Sequence, residues 1–483
     1  MERLKNALFT DFYELTMAQG YWKNNCNIKV SFDMFFRRNP FSGSYSIFAG
    51  LWSLISMIKD FHFEKDDINF LAKSSIFEKD FLDYLAKFRF TGSLFAMKEG
   101  SLMFPNEPII RVEADIIEAL ILEGLILNTI NFQSLIATKT ARVYLSSNKG
   151  HIMEFGLRRA QGVDGAMSAS RASFIGGAVG TSNILAGKEF DIPCFGTMSH
   201  AWVMSFENEE EAFRAYATLY PKQSIFLLDT YDTINSGIEN AIKVGRDLQK
   251  AGYNFGVRLD SGDIQYLSQY IRKRLDDAGC NRAFISVSNE LTEQIIESLV
   301  LNKTPIDSWG VGTHLVTGGS EASFTGVYKM AAYKKDAIWK PVMKVSDNLC
   351  KITTPGIKDV WRLYNEDGSF KADVISLQDE KLEAGRNYTF YHPDHEWQSF
   401  NFTPNKVESL LIEVIKDGNI IEVEPSLQEI RERAMEELDK LDATYKRLLN
   451  PHIYKVSLTE KVKELKMKTL KEIKEHVQEK YIN

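Results

Sequence analysis

The chain alternates between two patterns of apolar and polar residues. In residues 1–145, apolar positions favour helices at residues 11–22 and 116–141 and strands around residues 29–36 and 93–113. Helices and strands in this mixed order predict an N-terminal α+β domain.

After Lys149 the pattern changes to short apolar runs, which include HIMEFG, IPCFGTMS, SIFLLDTYD, FGVRLDSGD, AFISVSNEL, DSWGVGTH and GVYKMAA. These runs recur mostly at intervals of roughly 25 to 35 residues, the length of a strand plus a crossover helix. Several runs end in polar residues or glycine just before a helical stretch. The residues at these ends are His200, Asp229, Asp232, Arg258, Asp260, Ser288, Asn289, Gly312 and Thr313.

This arrangement is typical of a parallel α/β barrel, which we predict for residues 146–334. In that architecture the carboxyl ends of the strands converge at one face, so residues far apart in the sequence line one pocket. A doubly wound open sheet produces similar repeats, and the spacing alone does not separate the two folds.

Residues 335–483 are predicted to form short strands, turns and two charged helices that pack back against the N-terminal domain. The last helix, residues 458–481, carries Val462, Leu465, Leu470 and Ile473 at helical spacing among lysines and glutamates. We interpret it as a surface helix, because the interleaved glutamates argue against the alternative, a membrane-surface role.

A chain of 483 residues with 44% hydrophobic residues is long enough for two or three domains with ample core. The four cysteines, Cys26, Cys194, Cys280 and Cys350, lie far apart, with neither metal-binding spacing nor a disulfide framework, which suits a reducing cytosol. We interpret them as small buried apolar side chains.

Targeting signals and charge restrict the possible partners. The N-terminus lacks the apolar core of a signal peptide, and no later stretch approaches about 20 uninterrupted apolar residues, so we expect a cytoplasmic protein without a membrane partner. A net charge of -7 and a pI near 5.8 argue against nucleic acid as the main partner, because proteins that bind nucleic acids usually carry an excess of basic residues. Any phosphate binding must be local.

Residues 154–206 concentrate paired arginines, a glycine-rich turn and a histidine between short apolar runs. This composition predicts an anion-handling active site; the alternative is a helix connected by ordinary turns. The residues that carry the prediction are Arg158, Arg159, Gly176, Gly177, Gly180, Thr181, Ser182 and His200.

His200 and two aspartates are candidate catalytic groups. His200 follows the apolar run IPCF and the turn GTMS, so we expect its imidazole to project from a strand end into a site, although a lone histidine is more often structural. Asp229 and Asp232 follow four apolar residues, where a carboxylate orients a histidine or accepts hydrogen bonds from ribose hydroxyls. Helix N-capping is the alternative role of Asp232.

Arg258 and Asp260 in GVRLDSGD are two residues apart on a predicted strand, so both side chains point to the same side. The guanidinium fork binds a carboxylate or phosphate, and the neighbouring aspartate can hold hydroxyl groups. An ordinary cross-strand salt bridge is the alternative.

The segment WGVGTH places Gly310, Gly312 and Thr313 at a predicted strand-to-helix junction, where backbone N–H groups favour an anion. This signal is weak by itself, since the segment matches neither a Walker A loop nor a dinucleotide fingerprint.

With these residues in place, the chain resembles the nicotinate phosphoribosyltransferase family over nearly its whole length. The segments that carry the resemblance, in the family's order, are TDFYELTMAQGYW, FDMFFRRNPF, EFGLRRAQGVDGAMSASRASFIGG, GTSNILAG, GTMSHAW, LLDTYDT, GVRLDSGD, GVGTHLVTG and KITTPGIKDVWRLY. The resemblance implies a type II phosphoribosyltransferase fold, an incomplete α/β barrel joined to an α+β domain built from both ends of the chain.

The resemblance also implies a reaction and its cofactors. The family transfers the phosphoribosyl group of phosphoribosyl pyrophosphate to nicotinate and releases pyrophosphate. The product is nicotinate mononucleotide, and the transfer is coupled to ATP hydrolysis, a ligase-type reaction in the salvage route to NAD. Magnesium is expected to stabilise the departing pyrophosphate.

Residue roles follow from the matched motifs. His200 corresponds to the histidine that ATP phosphorylates, and Asp229 to the acid that supports it. Phe155 and Tyr13 correspond to the aromatic pair around the pyridine ring, with the tyrosine supplied by the partner subunit of a homodimer. The other predicted substrate contacts are Arg158 on the pyrophosphate side, Thr181 and Ser182 in the substrate pocket, Arg258 on the nicotinate side, Asp260 at the ribose, and Ser288, Gly312 and Thr313 at the 5′-phosphate.

Ser182 bears on the choice between nicotinate and nicotinamide. Nicotinamide-using relatives place an aspartate in the stretch corresponding to GTSN, and a carboxylate there would repel nicotinate. We therefore favour the acid as substrate. The alternatives are a nicotinamide or quinolinate phosphoribosyltransferase, or a catalytically silent nucleotide-binding relative.

Overall fold

The computed structural model describes residues 6–346, 351–395 and 397–481. The chain divides into two compact units, one formed by residues 1–135 and 323–483 and the other by residues 136–322. We call them the split unit and the barrel unit. Cys350 lies outside the described residues, whereas Cys280 is buried and Cys26 and Cys194 are exposed, so the prediction of buried cysteines was wrong for two of them.

The N-terminal part of the split unit contains helices and strands in mixed order. Its helices are α1 (Phe12–Lys23), α2 (Leu51–Lys59), α3 (Lys65–Lys73), α4 (Lys79–Leu85) and α5 (Ile116–Ile121). Its strands are β1 (Lys29–Phe36), β2 (Ser46–Ile47), β3 (Ser93–Ala96), β4 (Leu102–Met103) and β5 (Ile110–Asp115). The predicted helix at residues 116–141 is interrupted at Leu122, and the next helix, α6 (Glu123–Ser146), continues into the barrel unit.

In the barrel unit short strands are separated mostly by helices. Its strands are β6 (His151–Glu154), β7 (Gly180–Thr181), β8 (Ile225–Leu227), β9 (Gly256–Leu259), β10 (Phe284–Val287) and β11 (Ser308–Val311). Its helices after α6 are α7 (Gly162–Ile175), α8 (Ile184–Phe190), α9 (His200–Met204), α10 (Glu209–Leu219), α11 (Ile238–Lys250), α12 (Ile264–Asp277), α13 (Glu293–Leu301) and α14 (Thr313–Val316).

The C-terminal part of the split unit is rich in strands. These are β12 (Gly326–Lys335), β13 (Ile338–Pro341), β14 (Lys358–Tyr364), β15 (Phe370–Leu377), β16 (Tyr388–Tyr391), β17 (Ser399–Phe402), β18 (Lys406–Ser409), β19 (Ile412–Lys416), β20 (Asn419–Ile420) and β21 (Val456–Leu458). Its helices are α15 (Leu427–Lys440) and the charged α16 (Glu460–Tyr481). On α16 only part of the surface is covered, with Val462 buried and Met467 exposed, as in a surface helix.

Strands from both ends of the chain share one sheet in the split unit. The order is β13-β12-β1-β5-β3-β19-β20, and all its pairings are antiparallel. A second sheet, in the order β17-β16-β21-β15-β14-β18, is built from C-terminal strands. The expected α+β domain built from both ends of the chain is therefore confirmed, and the run GVYKMAA, now β12, belongs to it.

The barrel unit holds a six-stranded sheet in the order β7-β6-β11-β10-β9-β8, in which every pairing is parallel. Within the described residues β7 and β8 are its two edges, so the barrel is incomplete, as predicted. Three crossover helices begin at side-chain caps, in which Asn208, Asp263 and Thr292 accept backbone N–H groups of the first turn of α10, α12 and α13.

The helical stretch of residues 116–146 is long and apolar enough to cross a membrane, but 67% of its most apolar window is buried inside the protein. Its C-terminal part carries Lys139 and Arg142, both of which pair with Glu293 of α13 at 2.5 and 3.2 Å. A helix buried in this way, with paired charges, has the character of a core helix.

Candidate active site

The carboxyl ends of the parallel strands carry the polar residues that the sequence singled out. Asp229 follows β8 by two positions, and Asp260, Ser288 and Gly312 come directly after β9, β10 and β11. Phe155 comes directly after β6. Because parallel neighbouring strands end at the same edge of a sheet, these residues lie on one side of the barrel unit.

Asp229 is fixed at one oxygen and open at the other. Its Oδ2 accepts the backbone N–H of Asp260 at 3.2 Å and the hydroxyl of Ser261. Its Oδ1 is buried, has no hydrogen-bond donor among the described residues, and lies 3.9 Å from His200 Nε2. This separation is longer than a hydrogen bond, so a small movement of the half-exposed imidazole would complete the pair.

His200 lies at the start of the five-residue helix α9. The expectation that it projects from a strand end was wrong, because the segment IPCFGTMS forms only one isolated bridge, between Cys194 and Thr181. A helix this short needs tertiary support. Trp202 supplies it, since its indole Nε1 donates to the carbonyl of Ala212 in α10 at 3.0 Å.

Arg258 and Asp260 do point to the same side. Arg258 Nη2 lies 3.4 Å from Asp260 Oδ2, and Asp260 Oδ1 accepts the hydroxyl of Ser288 at 2.5 Å. Arg258 Nη1 donates to the hydroxyl of Thr197. The two residues form a salt bridge, as in the alternative reading, but the bridge joins positions along one strand and not across two strands.

Phe155 requires a glycine beneath its ring. A Cβ atom on Gly310 of β11 would lie 2.7 Å from the Phe155 ring, closer than real side chains approach. The Phe155 backbone N–H donates to the carbonyl of Val311 at 2.8 Å, which fixes the start of the loop after β6. The ring is half-buried and therefore retains an accessible part.

Thr181 and Ser182 behave differently. The Thr181 side chain is buried and its hydroxyl donates to the carboxylate of Glu154, which is also buried. Ser182 is half-buried, and its backbone N–H donates to the Glu154 carbonyl at 2.9 Å. Of the two predicted substrate contacts, only Ser182 thus has an accessible side chain.

Comparison with known proteins assigns the chain to a family. The models described as the nicotinate phosphoribosyltransferase N-terminal domain, family and C-terminal domain match residues 8–131, 150–354 and 357–466. The chain belongs to the nicotinate phosphoribosyltransferase family. A relative named nicotinate phosphoribosyltransferase from Bacillus subtilis is 39% identical over 475 residues, covering 98% of this chain and 97% of its own length.

Two further relatives of the family agree. A nicotinate phosphoribosyltransferase from Dictyostelium discoideum is 36% identical and covers 94% of this chain and 86% of its own length. The crystal structure of human nicotinic acid phosphoribosyltransferase superposes with a TM-score of 0.84 at 30% identity, covering 95% of this chain and 99% of that one. The fold and the family are therefore the ones that the sequence motifs predicted.

The other predicted phosphate contacts lie in or beside short helical segments. Arg158 and Arg159 form part of a short 3-10 helix, Leu157–Arg159, and both side chains are exposed. Gly312 precedes Thr313, the first residue of the four-residue α14, and Gly318 and Gly319 beyond it have left-handed φ angles of 75° and 60°. These glycines allow a turn that residues with a Cβ atom rarely adopt.

Asp232 acts as a helix cap. Its Oδ1 accepts the backbone N–H groups of Ile234 and Asn235 at 3.0 and 2.8 Å, at the start of a short π-helical segment. Hydrogen bonds from the side chain and backbone of Asn235 lower the pKa of Asp232. The N-capping alternative for this residue is therefore confirmed.

Tyr13 belongs to the split unit, on α1, and is 49% exposed. Partial burial, with the nearby carboxylates of Glu123, Glu14 and Asp11, raises its pKa to about 12, so its phenol is neutral at physiological pH. Its role as a substrate contact stays a prediction.

Two further groups in this family site were missed by the sequence reasoning. Thr197 binds the guanidinium of Arg258, and Ser261 binds the carboxylate of Asp229. Both are next to or near predicted residues in the motifs GTMSH and LDSGD, but a hydroxyl in a turn gives no distinctive signal in a single sequence.

Proposed function

We propose that this chain transfers the phosphoribosyl group of phosphoribosyl pyrophosphate to nicotinate, giving nicotinate mononucleotide and pyrophosphate in the salvage route to NAD. The observation that carries the proposal is the position of His200 Nε2, 3.9 Å from the open oxygen of Asp229 and beside the Arg258–Asp260 pair, in a chain of this family. The roles below rest on the matched motifs together with these contacts.

The nicotinate pocket would use ring stacking and charge. Phe155 provides one aromatic face, and Tyr13 of the partner subunit provides the other. Arg258 would hold the nicotinate carboxylate, and its contact with the Thr197 hydroxyl supports this role because it fixes one side of the guanidinium. The site would then need a homodimer, with each subunit completing the other's pocket.

The phosphoribosyl group would be held at its ribose and phosphates. Asp260 would bind ribose hydroxyls, Arg158 would neutralise the pyrophosphate, and Ser288, Gly312 and Thr313 would cradle the 5′-phosphate. Thr181 would act from behind the pocket through Glu154, since its side chain is buried.

The transfer breaks the bond between ribose C1 and the pyrophosphate oxygen and forms a bond from C1 to the pyridine nitrogen. Positive charge develops on the ribosyl centre while negative charge develops on the leaving pyrophosphate. The enzyme would accelerate the step chiefly by orienting the ring and neutralising pyrophosphate.

Magnesium would enter the site bound to phosphoribosyl pyrophosphate. No cluster of three or more His, Cys, Asp or Glu residues suited to a metal occurs in the described part of the chain. Asp229 and Asp260, which are linked by a hydrogen bond from the Asp260 backbone N–H to Asp229 Oδ2 at 3.2 Å, would be the nearby protein carboxylates for a Mg²⁺ ion that takes most of its oxygen ligands from phosphates and water.

ATP would couple to the transfer through His200. The imidazole attacks the γ-phosphorus of ATP and releases ADP, and water later removes the phosphoryl group as phosphate. Phosphohistidine adds roughly two negative charges beside the site, which could order nearby loops and tighten substrate binding. Asp229 would support the imidazole that forms the bond to phosphorus.

The enzyme would act in the cytoplasm.

A product assay tests the proposal. The purified enzyme is incubated with phosphoribosyl pyrophosphate, Mg²⁺ and either nicotinate or nicotinamide, with and without ATP, and the mononucleotide is identified by chromatography. We expect nicotinate mononucleotide, formed faster with ATP. If nicotinamide gives a mononucleotide and nicotinate does not, the amide-using alternative is favoured. If neither base gives a product, a silent binding protein is favoured.

The His200→Asn variant separates the two parts of the proposal. We expect it to retain basal transfer but to lose both stimulation by ATP and acid-labile incorporation of the γ-phosphate. Retained ATP stimulation in this variant would exclude His200 as the phosphorylated residue without excluding the transfer reaction.

A further inference from the structure

Glu154, the last residue of β6, has a carboxylate with no exposed surface. One oxygen, Oε1, accepts the backbone N–H of Gly156 in the loop after β6. The other oxygen, Oε2, accepts the hydroxyl of Ser170 in α7 at 2.9 Å and the hydroxyl of Thr181 in β7. One side chain thus joins three separate segments of the barrel unit.

The same network continues to the start of α8. The Thr181 hydroxyl accepts the backbone N–H of Asn183 at 2.9 Å, and the Ser170 hydroxyl lies 3.4 Å from Asn183 Nδ2. Asn183 in turn caps α8 by accepting the N–H of Ala186 at 3.2 Å. Hydrogen bonds of its two neighbours, Thr181 and Asn183, therefore restrain Ser182. The Ser182 N–H itself donates to the Glu154 carbonyl at 2.9 Å.

The residues next to this network are the accessible ones. Phe155 lies between Glu154 and Gly156, so the carboxylate and β6 fix the backbone on both sides of its ring. Ser182 lies between Thr181 and Asn183. Glu154 therefore determines how a ring-stacking side chain and a candidate specificity side chain are placed relative to each other.

We propose that Glu154 is a positioning residue that sets the nicotinate pocket by clamping the Phe155 loop to the segment of Ser182. The inference rests on the proposed function and adds a residue that does not itself touch substrate. It acts through Gly156, Ser170 and Thr181.

The clamp depends on a carboxylate and not merely on a side chain of this size. A carboxylate has two acceptor oxygens, whereas a glutamine amide has one acceptor oxygen and one NH₂ donor. In Glu154→Gln the NH₂ group would face either the Gly156 N–H, which is also a donor, or two hydroxyls that must then reverse. In either arrangement at least one hydrogen bond of residue 154 is lost or displaced, while the volume of its side chain stays nearly the same.

The test compares steady-state kinetics of Glu154→Gln with those of Glu118→Gln. Glu118 is the matched control, a buried carboxylate of the split unit that accepts the N–H and hydroxyl of Thr91, both at 2.8 Å. For Glu154→Gln we expect the KM for nicotinate to rise about 10- to 100-fold, the range found when supporting residues of a site are changed. The KM for phosphoribosyl pyrophosphate should change far less. In Glu118→Gln both KM values should stay at the wild-type level.

A merely structural role would give a different result. It would lower the folded fraction and kcat while leaving the KM for nicotinate unchanged, and this outcome would overturn the inference. An equal rise in both KM values, or the same rise in Glu118→Gln, would overturn it as well.

Ser170→Ala provides a second test if Glu154→Gln fails to fold. It removes one donor to Glu154 from a residue outside the predicted contacts, so we expect a smaller rise in the same KM. No rise would count against the clamp. A wild-type enzyme that makes no nicotinate mononucleotide would overturn the proposed function and this inference together, whereas an active wild type with unaltered variants would overturn the inference alone.

Discussion

Glu14, on α1, has a buried carboxyl group whose Oε1 atom has no hydrogen-bond partner among the described residues. Burial raises its pKa from 4.5 to about 7, even though the Thr10 hydroxyl and the Asp11 N–H donate to it. A carboxylic acid that gains a proton at neutral pH makes the stability of the protein depend on pH.

The sign of this dependence follows from the raised pKa. Between pH 4.5 and about 7 the folded protein holds the Glu14 proton more tightly than the unfolded chain does. The free energy of unfolding therefore falls as pH rises through this window, by up to roughly 3 kcal/mol from this group. We expect Glu14→Gln to remove this contribution, so that the wild type loses stability relative to the variant as the pH rises from 4.5 to about 7.

Thermal unfolding of both proteins at several pH values checks this prediction. Glu472→Gln is a suitable control, since the Glu472 side chain is 61% exposed on α16 and should give a curve parallel to that of the wild type. If the Glu14→Gln curve is also parallel to the wild-type curve, the raised pKa of Glu14 is wrong.

A second prediction at this scale concerns Ser182. An aspartate at this half-buried position would place a carboxylate in the pocket that we assign to nicotinate, and like charges repel. We expect Ser182→Asp to shift the ratio of kcat/KM values from nicotinate towards nicotinamide by at least about tenfold, equivalent to about 1.4 kcal/mol. Ser182→Asn, which adds similar bulk without charge, is the control, and an unchanged ratio in Ser182→Asp would refute the assignment.

At the level of elements, the parallel pair β6–β11 places a ring against a glycine. Gly310 pairs with Met153, two residues before Phe155, and the absence of a Cβ atom leaves room for the Phe155 ring. The sequence of neither strand predicts this contact. It arises because the register of the two strands brings these positions together.

We expect Gly310→Ala to displace the Phe155 ring, because the new Cβ atom would lie 2.7 Å from it. The KM for nicotinate should rise about tenfold or more, since misplacement of a substrate-orienting group by about 1 Å costs up to about 100-fold in rate. Steady-state kinetics measure the effect. Gly124→Ala, where the nearest atom would be an ordinary 3.7 Å away, should leave the kinetics unchanged; wild-type kinetics for Gly310→Ala would mean that the ring is not a substrate contact.

For the whole molecule, the proposed division of the site between two subunits predicts complementation. Tyr13 of one subunit would serve a pocket whose Arg258 belongs to the other. A dimer of one Tyr13→Ala subunit and one Arg258→Ala subunit would therefore contain one intact site and one doubly altered site.

We expect each variant alone to be nearly inactive and a refolded equimolar mixture to recover about a quarter of wild-type activity. Random pairing puts half of the chains in mixed dimers with one of two sites intact. The mixing assay, with each variant refolded alone as control, measures the recovery. Activity that stays at the level of the separate variants would show that Tyr13 and Arg258 act within the same subunit or that Tyr13 is not part of the site.

Local sequence signals predicted the elements that local interactions determine. The strand at residues 29–36 was predicted with the bounds of β1, since an alternating run bounded by polar residues specifies it. The N-capping role of Asp232 and the shared side of Arg258 and Asp260 depend on residues within three positions of each other. The motifs over nearly the whole chain identified the family and thereby the fold.

Only the tertiary structure decided which groups meet. It showed that His200 starts a short helix supported by α10, that the Thr181 hydroxyl is occupied by Glu154, and that the Ser288 hydroxyl binds Asp260. The contacts of Thr181 with Glu154 and of Ser288 with Asp260 join strand ends that are far apart in the sequence, so no local pattern predicts them. The sequence by itself determined the elements, the family and the candidate chemistry, whereas strand order and register determined the arrangement of that chemistry in space.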